Sequence, residues 1–191
     1  MLREAAEKLA TFSGGATSMV LGRVPVKTDD QVTDEDLPLV EARYKAFVAK
    51  RRIVSFGAGY DFDINALVRA PPLPPFLVAV RERVSAWTGI PAGELRQCTV
   101  AEYRPGTQLG WHRDVLRFGA VVGISLAAPC RMRLRPYPPP KHARSRVLVL
   151  EPRSAYALRD EARWRWQHAI SPTKALRYSI TFRTIRSRSE R

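Results

Sequence analysis

From residue 97 onward the chain is a series of short strand-like runs at close spacing, broken by Pro and Gly, over 97–103, 121–126, 131–135, 146–150, 154–158, 164–169 and 177–183, and in the clearest of them apolar and polar positions alternate. Alternation at a period of two marks strands with one face turned to a core, and many such strands at close spacing predict an antiparallel sandwich or barrel. The clearest run is Arg177-Tyr-Ser-Ile-Thr-Phe-Arg183: Tyr178, Ile180 and Phe182 share one face, while Arg177, Ser179, Thr181 and Arg183 form a row of donors on the other. Ahead of these strands the period lengthens. Phe76–Gly89 carries Leu77, Val80, Val84 and Trp87 on one helical face, with the stiff Pro71-Pro-Leu-Pro-Pro75 leading in and Gly89 ending it. Residues 34–50 also read as a helix, with Thr33 as cap and Leu39, Tyr44, Phe47 and Val48 on its apolar side, followed by a strand over 51–56. Residues 1–10 read as a short amphipathic helix and 11–35 as a connection. The expectation is one globular domain, mainly β with flanking α-helices: residues 1–50 form an N-terminal extension and helix packing on or lidding the core, and 51–191 form the core.

Composition narrows the class. An apolar fraction of 45% with four Trp, seven Phe and six Tyr fits a folded globule. No apolar run reaches the length of a membrane span and the N-terminus is too charged for a secretory signal, so a cytoplasmic location without a membrane partner is expected, with a monomer as default. Cys98 and Cys130 lack metal or redox spacing and read as structural thiols. The net charge of +14 is carried mostly by arginine, clustered at Arg131, Arg133 and Arg135 and again at Arg183, Arg186, Arg188 and Arg191. Such clusters favour a polyanionic partner through counterion release. No internal repeat or Gly-rich phosphate loop is present, which argues against a solenoid or an NTPase.

The chemistry concentrates in His112-Arg-Asp114 and His168, which use two of the three histidines; the third, His142, lies in a Pro/Lys/Arg-rich loop. His112 and Asp114 fall at a strand end, where residues i and i+2 face the same way, as two ligands of one ion require. Two imidazoles and one carboxylate leave the opposite side of a metal open, an arrangement suited to non-haem Fe(II). If the donor face of 177–183 looks into a barrel, its two guanidinium forks need anions, and a small dianion would satisfy both.

The order and spacing of these segments resemble the AlkB family of Fe(II)- and 2-oxoglutarate-dependent dioxygenases. Tyr103-Arg-Pro-Gly-Thr-Gln-Leu-Gly-Trp-His112-Arg-Asp114 is similar to that family's Asn-x-Tyr-x-Pro-Gly…His-x-Asp segment, Arg177…Arg183 to its closing Arg-x6 spacing, and Phe56-Gly-Ala-Gly-Tyr60-Asp-Phe62 to its Gly-x-Tyr strand. The match spans about 51–185. The resemblance implies a double-stranded β-helix, or jelly roll, with Fe(II) held by His112, Asp114 and His168. It also implies 2-oxoglutarate bound by Arg177 with Tyr103, Ser179 and Arg183, and O2 as oxidant. The implied reaction is oxidative removal of N-alkyl groups from nucleic-acid bases, as in repair of DNA alkylation, on a single strand or a flipped base. Tyr60, Phe62, Phe56 and Trp166, with Trp164, are candidates to stack a base; Arg51, Arg52, Arg131 and Arg133 are candidates for its backbone. Two positions depart from the pattern: Ala101 replaces the Asn before the Tyr, and Leu116 stands where some DNA-repair members carry an acidic residue. Leu116 keeps an RNA or protein substrate open; a non-catalytic nucleic-acid binder is the third reading, which the complete ligand triad disfavours.

Overall fold

A computed structural model describes residues 19–23, 37–44 and 47–186. Its elements in chain order are β1 (Met19–Arg23), β2 (Val40–Tyr44), β3 (Phe47–Phe56), β4 (Ala58–Asp61), β5 (Ala66–Arg69), α1 (Pro75–Thr88), β6 (Gln97–Tyr103), β7 (Leu109–His112) and β8 (Phe118–Leu126). They continue with β9 (Cys130–Pro136), β10 (Arg146–Leu150), β11 (Ser154–Leu158), α2 (Asp160–Trp164), β12 (Trp166–Ile170) and β13 (Arg177–Ile185). The strands form a seven-stranded sheet, β1-β11-β8-β13-β6-β3-β2, facing a four-stranded sheet, β10-β9-β12-β7, with β4 and β5 as a separate hairpin. This mainly antiparallel arrangement is the expected jelly roll. Among the described residues no helix is long and apolar enough to cross a membrane.

The period-two pattern explains how the layers stack. Along β13, Ile180 and Phe182 turn outward and join Val100, Val122, Ile124 and Phe56 under Leu77, Val80 and Val84 of α1. Residues of opposite parity turn inward, so Val121, Tyr156 and Leu158 of the large sheet meet Met132, Leu134, Leu150 and Ile170 of the small one. The α1 boundaries follow the sequence signals closely. Proline occupies its first turn, and Gly89 closes it in the left-handed region (φ 72°), donating its N–H to Ser85 O at 2.8 Å.

One expectation fails. The helix anticipated over 34–50 is, where described, the β2–β3 hairpin, with Val40 opposite Ile53 and Arg43 opposite Val48. The physical reason lies outside the segment: β3 lies along β6, pairing Arg52 with Glu102 through Phe56 with Cys98, and this ladder holds the chain extended. The β-branched residues at 40, 48, 53 and 54 suit a pleated surface, and sheet pairing overrides a loose helical spacing. Thr33 and the helix expected over 1–10 lie outside the described residues, as does the connection over 11–35 apart from β1. The strand expected over 164–169 begins at Trp166, because 160–164 forms α2.

Between β3 and β4 the chain turns at Gly57 (φ 75°). A Cβ there would meet Arg96 O at 2.2 Å, so only glycine fits. This turn delivers Tyr60 and the β4–β5 hairpin, whose tip is held by Asp61 Oδ1 accepting the N–H groups of Asp63 (2.8 Å) and Ile64 (3.2 Å).

Glu102 fastens the outer face of β6. Its carboxylate accepts from Arg52 Nε (2.9 Å) and Nη2 (2.6 Å), from Arg104 Nε (3.1 Å) and from the Tyr178 hydroxyl (3.3 Å). The Arg52 hydrogen bond is the main cause that holds its carboxyl below the ordinary 4.5. A depressed folded-state value contributes stability above the unfolded-state value and loses it as pH falls. Glu102→Gln is therefore expected to destabilise the protein by about 1–3 kcal/mol at neutral pH. The deficit should shrink below pH 4.5, as read from urea unfolding midpoints across that range.

Candidate metal centre

β7 and β12 pair so that His112 lies directly opposite His168, and their ring centroids are 4.2 Å apart. Asp114 follows immediately beyond β7 and brings Oδ2 to 3.7 Å from His168 Nε2. One ligand atom from each of the three residues fits within 4.8 Å of the others. His112 Nδ1 lies 2.8 Å from Gly110 O. Since a carbonyl only accepts, that nitrogen carries the proton, and the Nε2 lone pair remains for a metal.

The protonation states match. Burial is the largest influence lowering both imidazoles, and His168, further depressed by His112, falls to about 3. Burial pushes the Asp114 carboxyl up, but Arg183 foremost, then the two histidines and Arg163, outweigh it and hold it below the usual carboxylate range. Neutral imidazoles beside an ionised carboxylate are the forms a divalent metal takes up without displacing protons.

Two arginines fix Asp114. Arg183 Nε donates to Oδ1 at 2.8 Å, while its Nη1 donates to Gln97 Oε1 (2.8 Å) and Thr99 Oγ1 (3.3 Å). Arg163, buried in α2, gathers the loop that carries Asp114. Its Nε donates to Gly119 O (2.7 Å), and its Nη2 to the carbonyls of Asp114 (3.2 Å), Val115 (2.8 Å) and Phe118 (2.8 Å).

Deeper in the barrel lies Arg177, 1% exposed. It donates from Nε to Ser125 Oγ at 2.9 Å and lies 4.8 Å over the Tyr103 ring. Its Nη1 has no hydrogen-bond partner among the described residues. A buried guanidinium with an unused donor is costly unless an anion completes it. The surroundings suit a small carboxylate: Tyr103 and Ser179 are buried beside it, and Ser179 stands opposite both Ala101 and Ser125 in its neighbouring strands. A hydroxyl thus faces the position where an Asn side chain is absent. The donor set fits Fe(II) at the triad and a dicarboxylate reaching from it to Arg177.

The other expected site residues divide. Tyr60 stacks edge-on with Phe62 (5.1 Å) and Phe118 (6.0 Å), and Phe118 lies beneath Arg183 (5.3 Å), which links the β4–β5 hairpin to the triad. Phe62 is exposed, and Arg51 acts electrostatically on His112. Arg52 instead points to the opposite face of β3 and into the Glu102 pair. Phe56 is core beneath α1, not a platform. Arg131 and Arg133 alternate with the inward Met132 and Leu134, so they leave the barrel on the far side of β9 and do not reach its interior. Trp166 packs against the inner core, and Trp164 lies in α2 between Arg163 (4.3 Å) and Arg186 (4.8 Å). Leu116 is exposed on the Asp114 loop.

Sequence reading missed Ser125, Gln97, Thr99 and Arg163. The first three carried a signal: their parity on the strands over 121–126 and 97–103 places them on the face that Arg177 and Arg183 share across β13. Arg163 carried none, because its role depends on α2 folding back over a loop nearly fifty residues earlier.

Comparison with known proteins agrees with this geometry. Residues 42–183 match the family model of the 2OG-Fe(II) oxygenase superfamily. The Alkylated DNA repair protein ALKBH8 homolog of Arabidopsis thaliana is 29% identical over 188 residues, covering 79% of this chain and 54% of that protein. Uncharacterized protein L905 of Acanthamoeba polyphaga mimivirus is 32% identical over 105 residues, covering 47% of this chain and 48% of its own. The chain thus spans about half the length of the curated relatives it matches. In three dimensions it is similar to the structure of OsALKBH1, with a TM-score of 0.64 and 16% identity over 87% of this chain and 96% of that one, a likeness of fold.

Arg177→Met should weaken 2-oxoglutarate binding to the Mn(II)-loaded protein by at least about 30-fold, the equivalent of roughly 2 kcal/mol for one partner of a buried charged pair. Calorimetric titration would measure it, and unchanged affinity would remove Arg177 from the pocket. The pH response has a definite sign. In the metal-free protein, folded His168 binds its proton only near 3, whereas the unfolded residue binds near 6.5, so unfolding takes up protons between these values. The melting temperature should therefore rise with pH across that interval, and His168→Gln should flatten the slope.

Proposed function

The chain belongs to the 2OG-Fe(II) oxygenase superfamily, is AlkB-like, and as such a dioxygenase uses Fe(II), 2-oxoglutarate and O2; on that premise we propose that it removes N-methyl groups from nucleic-acid bases, in the manner of DNA alkylation repair. The observation that carries this reading is the Tyr60–Phe62 pair, projected by the β4–β5 hairpin against Phe118 and hence beside Arg183 and the triad. An edge-on aromatic pair with one exposed ring offers a flat surface to a base taken out of its stack. The net charge of +14 favours a polyanionic substrate. The name of the Arabidopsis relative, an alkylated DNA repair protein, agrees with it.

With its metal and co-substrate bound, the site supplies oxidative decarboxylation of 2-oxoglutarate to succinate and CO2, coupled to hydroxylation of a substrate C–H bond. The protein's residues do the positioning. His112, Asp114 and His168 would hold Fe(II), with Gly110 O fixing the His112 tautomer and Arg183 fixing the carboxylate. Arg177, Ser179 and Tyr103 would hold the distal carboxylate of 2-oxoglutarate, with Ser125 steadying the guanidinium. Tyr60 and Phe62 would seat the base, and Arg51 would face its phosphate. A methyl group held near the metal becomes a hydroxymethyl group on nitrogen, which collapses to the free base and formaldehyde in water. Orientation is the larger part of such catalysis.

Leu116, exposed and apolar where some DNA-repair members carry an acidic residue, keeps open a second reading in which the substrate is RNA or protein. One assay covers both. Single-stranded DNA and RNA oligonucleotides, each with one N-methylated base, are incubated aerobically with protein, Fe(II), ascorbate and 2-oxoglutarate, then weighed by mass spectrometry. Loss of one methylene mass by the intact protein, absent in Asp114→Ala, is the expected result. Steady succinate formation with neither oligonucleotide altered would direct the search to a protein substrate.

A further inference from the structure

The outer face of the four-stranded sheet has no part in the iron site, yet its chemistry is not that of an ordinary solvated surface. None of the strand residues of β7, β9, β10 and β12 is acidic. On β9 the outward positions are Arg131, Arg133 and Arg135, a guanidinium at every second residue and hence roughly 6.7 Å apart along the strand. Two of them are fixed. Arg133 lies 5.0 Å and Arg135 4.2 Å from the centroid of Trp111, which leaves β7 on the face opposite His112. With its amide oxygen turned toward β9, Gln167 accepts from Arg135 Nε at 2.7 Å and Nη2 at 3.1 Å. Opposite Arg133 and Arg131 on the neighbouring strand stand Val147 and Val149, 43% and 52% exposed.

Three features here belong together. Stacking on an indole orders a guanidinium before any ligand arrives, which removes an entropic cost of binding. The regular step of the ladder suits an anion that repeats along an extended chain better than a single small ion. The exposed valines give sugars and bases an apolar margin. The ladder also starts behind the metal centre, since Trp111 precedes His112, and at that same end, just past β9, Arg113 stacks at 3.8 Å on the ring of Tyr137.

We propose that this face is a nucleic-acid track: the Arg131, Arg133, Arg135 ladder with Trp111 grips the phosphates of a single strand whose modified base lies in the iron site on the other side of the sheet. The assignment rests on the nucleic-acid reading above and adds a second, sequence-indifferent region of binding that lengthens the footprint beyond the base.

The test compares the parent with the double variant Arg131→Gln, Arg133→Gln, both side chains lying outside the catalytic machinery. Affinity for a long single-stranded oligonucleotide is measured by fluorescence anisotropy over a salt series. Demethylation of a methylated trinucleotide, too short to span both faces, is measured beside it. The variant should bind the long strand at least tenfold more weakly, with a salt slope shallower by about 0.7 for each phosphate no longer neutralised, and should process the trinucleotide as the parent does. Equal affinity and slope in the two proteins would overturn the track, as would a parent with no affinity for the long strand at low salt. Equal binding of poly-glutamate by the parent, abolished in the variant, would overturn it in favour of an acidic protein partner. A parent that processes no methylated base, yet loses strand binding on substitution, would leave the track standing and remove the demethylase reading.

Discussion

Burying the Arg183 guanidinium between two sheets requires a fixed anion, and Asp114 supplies it at 2.8 Å. The requirement runs both ways, because the Asp114 carboxylate, itself buried, stays ionised chiefly through Arg183. Around this pair the rest of the site is built outward: Gln97 and Thr99 accept from Arg183 Nη1, Arg163 ties down the loop, and His168 closes on the far carboxylate oxygen. A buried ion pair seldom adds much to stability. Here it locks a carboxylate in the orientation and charge state that a metal needs, which is a gain in preorganisation. Arg177, at the other end of the same strand, shows the contrasting case, a buried cation whose Nη1 has no partner among the described residues.

Much of this is legible in the chain, and the reason is periodicity. A strand commits alternate side chains to opposite faces, so the run from Arg177 to Arg183 already separates donors from core residues, and the structure places Phe182 in the outer core and Arg183 in the barrel. The His-x-Asp pair is local for the same reason. Features that depend on contacts between distant segments are not legible. The segment over 34–50 carries apolar side chains at spacings that a helix tolerates, and only the pairing of β2 with β3, and of β3 with β6, makes its described residues strands. The four carbonyls around Arg163 are likewise assembled by the fold, with no motif at either end. Arg52 illustrates the hazard of reading charge alone, since its partner Glu102 lies 50 residues further along the chain.

Strand parity also explains why arginines with one compositional signature have different surroundings. By charge alone, Arg131 and Arg133 are indistinguishable from Arg51 as cations flanking an entrance. The inward turn of Met132 and Leu134 sends the β9 arginines to the sheet's reverse side. One thin sheet therefore presents imidazole and aliphatic groups to the barrel and guanidinium groups to solvent, with Trp111 and His112 as adjacent residues on opposite surfaces.

The pairing of β1 with β11, from Met19 opposite Leu158 to Arg23 opposite Ser154, bears on where this domain begins as a folding unit. β11 is almost wholly buried apolar sequence, and without β1 its outer row of N–H and C=O groups would form a naked sheet edge. The family match starts at residue 42, well after that strand. Homology and foldability thus draw different borders: a fragment cut where the relatedness begins would keep every iron and co-substrate residue while exposing an adhesive edge, so solubility, not chemistry, would be the first property to go.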